Sequence, residues 1–173
     1  QPMYVNTPYG ISLAHNGNLT NSKKLAAELF HAERRHINTD SDSEVLLNIF
    51  ALELSKQDAV FPKPKDFFTA VQKTHLRING AYAVVALITG YGILAFRDPL
   101  GIRPLSIGVR KGKKRNEYVV SSETALFSAT GFKFLRDVEP GEAVFIDNAG
   151  KIFTQQCSAS HQKKPCIFEF VYL

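Results

Sequence analysis

The stretch AYAVVALIT, Ala81 to Thr89, decides the fold. A continuous apolar run of this length, rich in Ala, Val and Ile, fits a central strand buried on both faces. The chain changes character around it. Upstream, apolar residues recur at helical spacing. Downstream, short β-prone runs are separated by Gly, Pro, Asn and Asp. Helices in the first half and antiparallel strands in the second predict an α+β chain, with sheet packed against helices.

Working back from that run, Asp66 to Arg77 reads as a helix, with Phe67, Val71 and His75 on one stripe, and Pro62 and Pro64 break the chain before it. The segment SDSEVLLNIFALEL, Ser41 to Leu54, carries the S-x-x-E capping box in Ser41 and Glu44. An apolar face of Val45, Leu46, Ile49 and Phe50 follows it. Asn21 to His36 reads as a helix through Leu25, Leu29 and Phe30, closing on Arg34, Arg35 and His36, which suit a helix C-terminus. Ile11 to Ala14 reads as a short strand. Between the two lies His15-Asn16-Gly17-Asn18, and Asn-Gly is the commonest tight-turn signal.

Working forward, Gly90-Tyr91-Gly92 turns into a strand over Ile93 to Arg97, and Asp98-Pro99-Leu100-Gly101 is a turn with Pro where its fixed φ belongs. Leu105 to Val109 and Tyr118 to Ser121 are strands around a basic tip, Arg110-Lys111-Gly112-Lys113-Lys114-Arg115. Ser122 to Ala129 reads as a short helix capped by Ser121 or Ser122. Phe134 to Val138, Ala143 to Ile146 and Ile152 to Gln155 are further strands. The polar run Ser158 to Pro165 reads as a linker, and CIFEFVYL, Cys166 to Leu173, as the first strand of a following part.

The 173 residues fit one domain, and 45% apolar with 21% charged residues is ordinary globular composition. No run approaches the roughly 18 apolar residues of a membrane span, and the start lacks a signal-peptide pattern. The two cysteines, Cys157 and Cys166, are too few for a disulfide framework and suit a cytoplasmic protein. The formal charge of +5 raises a polyanion partner. Its clearest cluster, however, has no aromatic residue for base stacking and reads as a solvated hairpin tip, so neither nucleic acid nor membrane is expected as a partner.

Metal and nucleophile patterns are incomplete. Asp40, Asp42 and Glu44 alternate like a calcium loop but lack its glycine and its distant bidentate Glu, and helix-start carboxylates explain them. Cys157, His161 and Cys166 lack zinc-ligand spacing. There is no G-x-S-x-G elbow and no phosphate-binding glycine loop. One constellation remains: a strand ending in Asn-Gly before a helix presents a side-chain amide and a backbone N–H together. Two such donors can hold the oxyanion of an acyl-transfer intermediate. A plain turn, with Asn18, Thr20 or Asn21 capping the helix, explains the same residues.

LAHNGNLTN, Leu13 to Asn21, resembles the oxyanion-hole segment of class II glutamine amidotransferases, which are N-terminal-nucleophile hydrolases. RRHINTDSDSE at Arg34 to Glu44, GAYAVVALI at Gly80 to Ile88, FRDPLGIRPL at Phe96 to Leu105, FLRDVEPGEA at Phe134 to Ala143 and CIFEFVYL narrow the likeness. Within that class the chain is similar, over nearly its whole length, to the amidophosphoribosyltransferase family.

The resemblance implies two stacked antiparallel sheets between helical layers. It implies a glutaminase domain over residues 1–157, a linker over 158–165 and the start of a phosphoribosyltransferase part at 166–173. It makes Asn16 and Gly17 the oxyanion hole and Asp42 the anchor for the α-amino group of glutamine, with Arg97, Asp98 and Arg103 structural. The family uses a cysteine at its mature N-terminus, followed by Gly-Ile, whose own amino group is the base. No Cys-Gly-Ile occurs here, so the expectation is an internal piece of the glutaminase domain, inactive alone and incomplete at its N-terminus. The full-length protein would release ammonia from glutamine and make 5-phosphoribosylamine from phosphoribosyl pyrophosphate, the first step of purine synthesis. Magnesium would act in the phosphoribosyltransferase part, and no cofactor is expected in this chain. An iron–sulfur cluster would have one candidate ligand here, Cys166. The remainder of the parent chain is the expected partner, with a homo-oligomer as the full enzyme. The competing readings are a non-catalytic interaction module and the glutaminase domain of another class II amidotransferase.

Overall fold

In the computed structural model, the described residues are 1–57, 59–113, 115–159, 163–167 and 171. Nine strands and four helices follow in the order β1 (Met3–Val5), β2 (Ile11–Leu19), α1 (Ser22–His31), α2 (Asp42–Ser55), α3 (Pro64–Arg77), β3 (Gly80–Ile88), β4 (Gly92–Arg97), β5 (Ser106–Lys111), β6 (Asn116–Ser121), α4 (Ala125–Ala129), β7 (Lys133–Asp137), β8 (Glu142–Asp147) and β9 (Ile152–Gln156) among the described residues. A six-stranded sheet has the order β1-β2-β3-β4-β8-β9, a three-stranded sheet the order β6-β5-β7, and every pairing is antiparallel.

Strand alternation divides the core in two. Leu13, Val84, Leu94, Phe96 and Phe145 face Leu29, Leu46, Phe50, Phe67 and Val71 of the helices. The opposite face puts Ala83, Ala95, Val144 and Ile146 against Ile107 of the second sheet and the flanking Leu105 and Val138. On the far side of that sheet, Phe127 of α4 lies against Gly108, where an added Cβ would come within 3.0 Å of the ring. The layers are therefore helices, sheet, sheet, short helix, as the resemblance implied. The AYAVVALIT run is the pivot, since β3 pairs on both edges and its two faces feed the two cores.

Several elements depart from the sequence reading. Strand β2 does not stop at Ala14; it stays in register with β3 through Leu19↔Gly80, so His15-Asn16-Gly17-Asn18 is strand and not turn. Helix α1 ends at His31 instead of His36, and Arg34 takes a φ of 53° just beyond it. Asn21 leaves the first turn of α1 uncapped by its side chain. It donates instead to the Arg77 carbonyl and accepts from Asn79 N–H, tying the start of α1 to the end of α3. Pro64 begins α3 at the first helical position, where its missing N–H costs nothing.

The capping box at α2 is split. Ser41 Oγ accepts from Ser43 N–H, but the Glu44 carboxylate reaches past Ser41 to the N–H and side chains of Asn38 and Thr39. Although burial opposes it, those hydrogen bonds hold the Glu44 pKa below the usual carboxylate range. The short helix begins at Ala125, and Ser121 Oγ accepts from Glu123 N–H ahead of it instead of capping it. The basic tip is the β5–β6 hairpin turn, closed by Gly112 N–H to the Arg115 carbonyl. The strand expected at 166–173 falls mostly outside the described residues; at Ile167 and Val171 the backbone is helical and both side chains are exposed. In the expected linker, Lys164 N–H donates to the Leu100 carbonyl. Among the described residues no helix is long and apolar enough to cross a membrane.

Candidate functional site

The second half of β2 is where the predicted site residues meet. Strand β1 pairs with Ile11 to Leu13, so from Ala14 onward one edge of β2 has no strand beside it among the described residues. Within a strand, the backbone groups of alternate residues point to opposite edges. The phase is set across the sheet by Tyr82, the partner of Gly17. Its carbonyl accepts from Asp98 N–H at 2.8 Å, and its N–H donates to Asp98 Oδ2 at 3.3 Å, so both groups face β4. Gly17 is thereby a non-hydrogen-bonded partner of Tyr82, and its amide faces the open edge together with those of His15 and Leu19.

Those flanking amides are occupied. His15 N–H donates to Gln1 Oε1 at 2.6 Å, and Leu19 N–H donates to Asp42 Oδ2 at 2.8 Å. The Gly17 amide lies between them. The residue must be glycine: φ is +149°, and a Cβ would lie 1.9 Å from the Ala81 carbonyl oxygen. The neighbouring Asn16 points its side chain to the face opposite the helices, in a row with Ala83 and Arg97 across β3 and β4. It is exposed, and among the described residues its amide has no hydrogen-bond partner.

Asp42 is the first residue of α2, with its side chain about one-fifth exposed (21%). One oxygen holds Leu19 N–H, and the other lies 3.8 Å from His15 Nδ1. Asn16, Gly17 and Asp42 are thus joined through two strand residues and one helix start. This can hold an anion at the strand edge with two neutral donors, beside a carboxylate able to receive a cation.

The loop after β4 supports the arrangement. The fully buried Asp98 accepts from Leu100, Ile102 and Arg103 N–H groups as well as Tyr82. Arg97 donates to the carbonyls of Gly101, Arg103 and Val138. One side chain collects the loop's amides and the other its carbonyls, in accord with the structural role expected for this turn.

Two residues escaped the sequence reading. His15, inside the recognised motif, has a side chain only 1% exposed, with Nδ1 3.1 Å from Ser43 Oγ. Ser43, inside the other motif, is fully buried and also accepts from Gln1 Nε2. His15 is legible as inward-facing once strand phase is carried past Ala14, and Ser43 by its helical spacing to Leu46, Leu47 and Phe50. Burial lowers the His15 pKa, with Arg103 adding to the effect and Asp42 and the Ala81 carbonyl opposing it.

The cysteines lie elsewhere. Cys157 is buried, its thiol near the carbonyls of Phe68 and Gln155, and burial pushes its pKa up to about 12. Cys166 is partly exposed, its N–H directed at the Ile102 carbonyl. Among the described residues no three His, Cys, Asp or Glu side chains gather as a metal site, and His161 of the zinc pattern lies outside them.

A glutamine amidotransferase domain model matches residues 1–129. This chain belongs to the glutamine amidotransferase domain family. It is similar to the amidophosphoribosyltransferases of Pseudomonas aeruginosa (53% identical, 100% of this chain, 34% of that protein) and Escherichia coli K12 (54%, 99% and 34%). The Saccharomyces cerevisiae amidophosphoribosyltransferase is 44% identical over 99% of this chain. Among solved structures, the glutamine phosphoribosylpyrophosphate amidotransferase of B. subtilis, complexed with ADP and GMP, superposes with a TM-score of 0.79 at 31% identity, over 99% of this chain and 34% of that one. The chain thus spans about one-third (34%) of the length of these relatives. Its two-sheet architecture is that of the N-terminal-nucleophile amidotransferases.

Proposed function

We propose that this chain is the oxyanion-binding part of the glutaminase half of an amidophosphoribosyltransferase. The observation that carries the reading is the edge of β2 at which, among the described residues, the Gly17 amide and an Asn16 side chain without a hydrogen-bond partner stand between two occupied amides. A thiolate attacks the side-chain carbonyl of glutamine, and the negative charge moving to its oxygen is received by Asn16 Nδ2 and Gly17 N–H. Such donors act most strongly on the transition state. Collapse expels the protonated nitrogen as ammonia and leaves a thioester, which water hydrolyses to glutamate. Asp42 receives the α-ammonium of glutamine. Ammonia then displaces pyrophosphate from C1 of phosphoribosyl pyrophosphate, giving 5-phosphoribosylamine.

The thiolate comes from outside residues 1–173 in this reading. Cys157 is buried and its thiol resists ionisation, and neither cysteine carries the free amino group that the family uses as base. Two cysteines do not make an iron–sulfur site by themselves, so Cys166 could at most be one ligand among several. We place the parent in the cytoplasm as a homo-oligomer, with residues 1–157 as its glutaminase portion.

In the full-length parent, Asn16→Ala is expected to lower glutamine-dependent synthesis by about 100- to 1,000-fold. Synthesis from added ammonia, which bypasses the glutaminase, is expected to persist. Equal loss with both nitrogen sources, or failure of the wild-type gene to rescue a purine auxotroph lacking this enzyme, would overturn the reading.

A further inference from the structure

We propose that His15 is a positioning residue for glutamine binding: its imidazole, wedged behind β2, holds Ser43 and so keeps the first turn of α2 where Asp42 meets the open strand edge. This deepens the reading above and rests on Asp42 being the ammonium anchor. The oxyanion donor and the brace are consecutive residues on opposite faces of one strand. Asn16 turns away from the helices, and His15 turns toward them. There Nδ1 lies 3.1 Å from Ser43 Oγ and 3.8 Å from Asp42 Oδ1. Asp42 is also tied to the strand by Leu19 N–H at 2.8 Å. The helix start is therefore pinned at two points, four residues apart on β2, with the Gly17 amide between them. Pinning of this kind fixes the distance between the site of the developing oxyanion and the site of the ammonium, which a substrate with both groups must match.

The imidazole does this best when neutral. Among the described residues its buried Nε2 has no partner in good hydrogen-bonding geometry, the Ala81 carbonyl being the acceptor that influences the ring. The charged groups facing it are Asp42 from α2, which favours a proton, and Arg103 from the loop after β4, which disfavours one; the Ala81 carbonyl of β3 adds to the first. Burial outweighs the opposing effects, and the balance favours the neutral imidazole. A proton on it would set a second positive charge beside the carboxylate that receives the substrate's ammonium. Glutamine binding should weaken as the medium is acidified.

The test uses the full-length parent enzyme, with glutamine-dependent and ammonia-dependent synthesis measured in parallel. For His15→Ala and Ser43→Ala the expected result is a KM for glutamine raised about tenfold or more, a change of the size one lost anchor produces. The kcat at saturating glutamine should hold within a few-fold, and ammonia-dependent activity should be unchanged. His15→Asn, which can still bond Ser43 at the Nδ1 position, should recover most of the KM. It should also abolish the rise in KM expected of the wild type on acidification below the ordinary histidine range. A fall in kcat at unchanged KM, or an unchanged KM in both alanine variants, overturns the proposal. So does parallel loss of ammonia-dependent activity in all three variants, which would make the residue part of the general fold. Asp42→Asn separates the two levels. An unchanged KM there removes the anchor reading and the brace with it. A raised KM with normal His15 and Ser43 variants removes the brace alone.

Discussion

Between Ile11 and Leu13, strand β2 is paired on both edges, with β1 on one side and β3 on the other. Between His15 and Leu19 it keeps β3 and, among the described residues, has no outer strand. The first half buries Ile11 and Leu13 completely and carries no group the proposed chemistry uses. The second half carries Asn16, a glycine that no other residue can replace, and three outward amides of which the flanking pair are capped by side chains. One continuous register therefore serves as scaffold and then as site. Among the described residues, side chains close this edge at His15 and Leu19 and leave the Gly17 amide between them.

Changes in the second half should break that division most severely. Gly17→Ala puts a Cβ on the Ala81 carbonyl at a φ of +149°, and neither the strand nor the glycine backbone can yield cheaply. Glutamine-dependent activity of the full-length enzyme is expected to fall below detection, beyond the 100- to 1,000-fold loss of roughly 3–4 kcal/mol expected for removing the Asn16 amide alone. In the first half, Leu13→Ala should do the reverse. Deleting a fully buried side chain costs about 3 kcal/mol of stability, read as a lowered denaturant midpoint, with the glutamine KM and kcat of the folded fraction unchanged. A catalytic defect in Leu13→Ala at normal stability would erase the distinction between the halves.

The same strand explains what the sequence could and could not convey. The helical layer, the central strand and the hairpins were legible because apolar spacing states which face is buried, and Leu13, Val84 and Phe96 sit where alternation puts them. The extension of β2 through His15-Asn16-Gly17-Asn18 was not legible. Asn-Gly is locally a turn signal, and only the nine-residue pairing with β3 overrides it. Asn16, Gly17 and Asp42 stand out in the sequence through family likeness, whereas their relation to one another is a property of register. Tyr82 decides which way the Gly17 amide faces, through an aspartate sixteen residues further along the chain. Strand β1 is not legible, because three residues, Met3 to Val5, are too few to display a period. The overlong reading of α1 has a different cause: Arg34, Arg35 and His36 satisfy the electrostatics of a helix end without being in one.

Behind Gly17, Tyr82 is held a second time. Burial keeps its hydroxyl protonated, and it bonds His75 Nδ1 of α3 at 2.8 Å. Burial pushes the His75 pKa down to about 4. A histidine depressed from its ordinary 6.5 takes up protons more readily unfolded than folded. Its contribution is complete above pH 6.5 and is lost as pH falls through the window down to about 4. Between pH 7 and pH 5 the loss is expected to be about 2 kcal/mol. His75→Gln should flatten that part of the stability–pH curve in equilibrium unfolding. The curve would keep some slope from Glu44 and Glu53, whose depressed values act in the same direction at lower pH. An unchanged curve would mean that His75 is hydrated in solution and that Tyr82 is fixed by Asp98 alone.

The mildest test concerns the helix that meets the open half. Ser41 Oγ caps α2 through Ser43 N–H, and the next residue is Asp42. Removing an N-cap hydroxyl typically costs about 1 kcal/mol. That loss frays the first turn, and here the first turn also bears the carboxylate that closes Leu19 N–H. If α2 were merely packed against the sheet, Ser41→Ala would lower stability by that amount and leave the glutamine KM alone. If the helix start is part of the site, the same small loss should appear twice: as about 1 kcal/mol in unfolding and as a rise of a few-fold in the KM for glutamine, without change in ammonia-dependent activity. Such a variant would weaken the site without removing any group that touches substrate. The two halves of β2 would then differ in what they hold in place as well as in which partners they have.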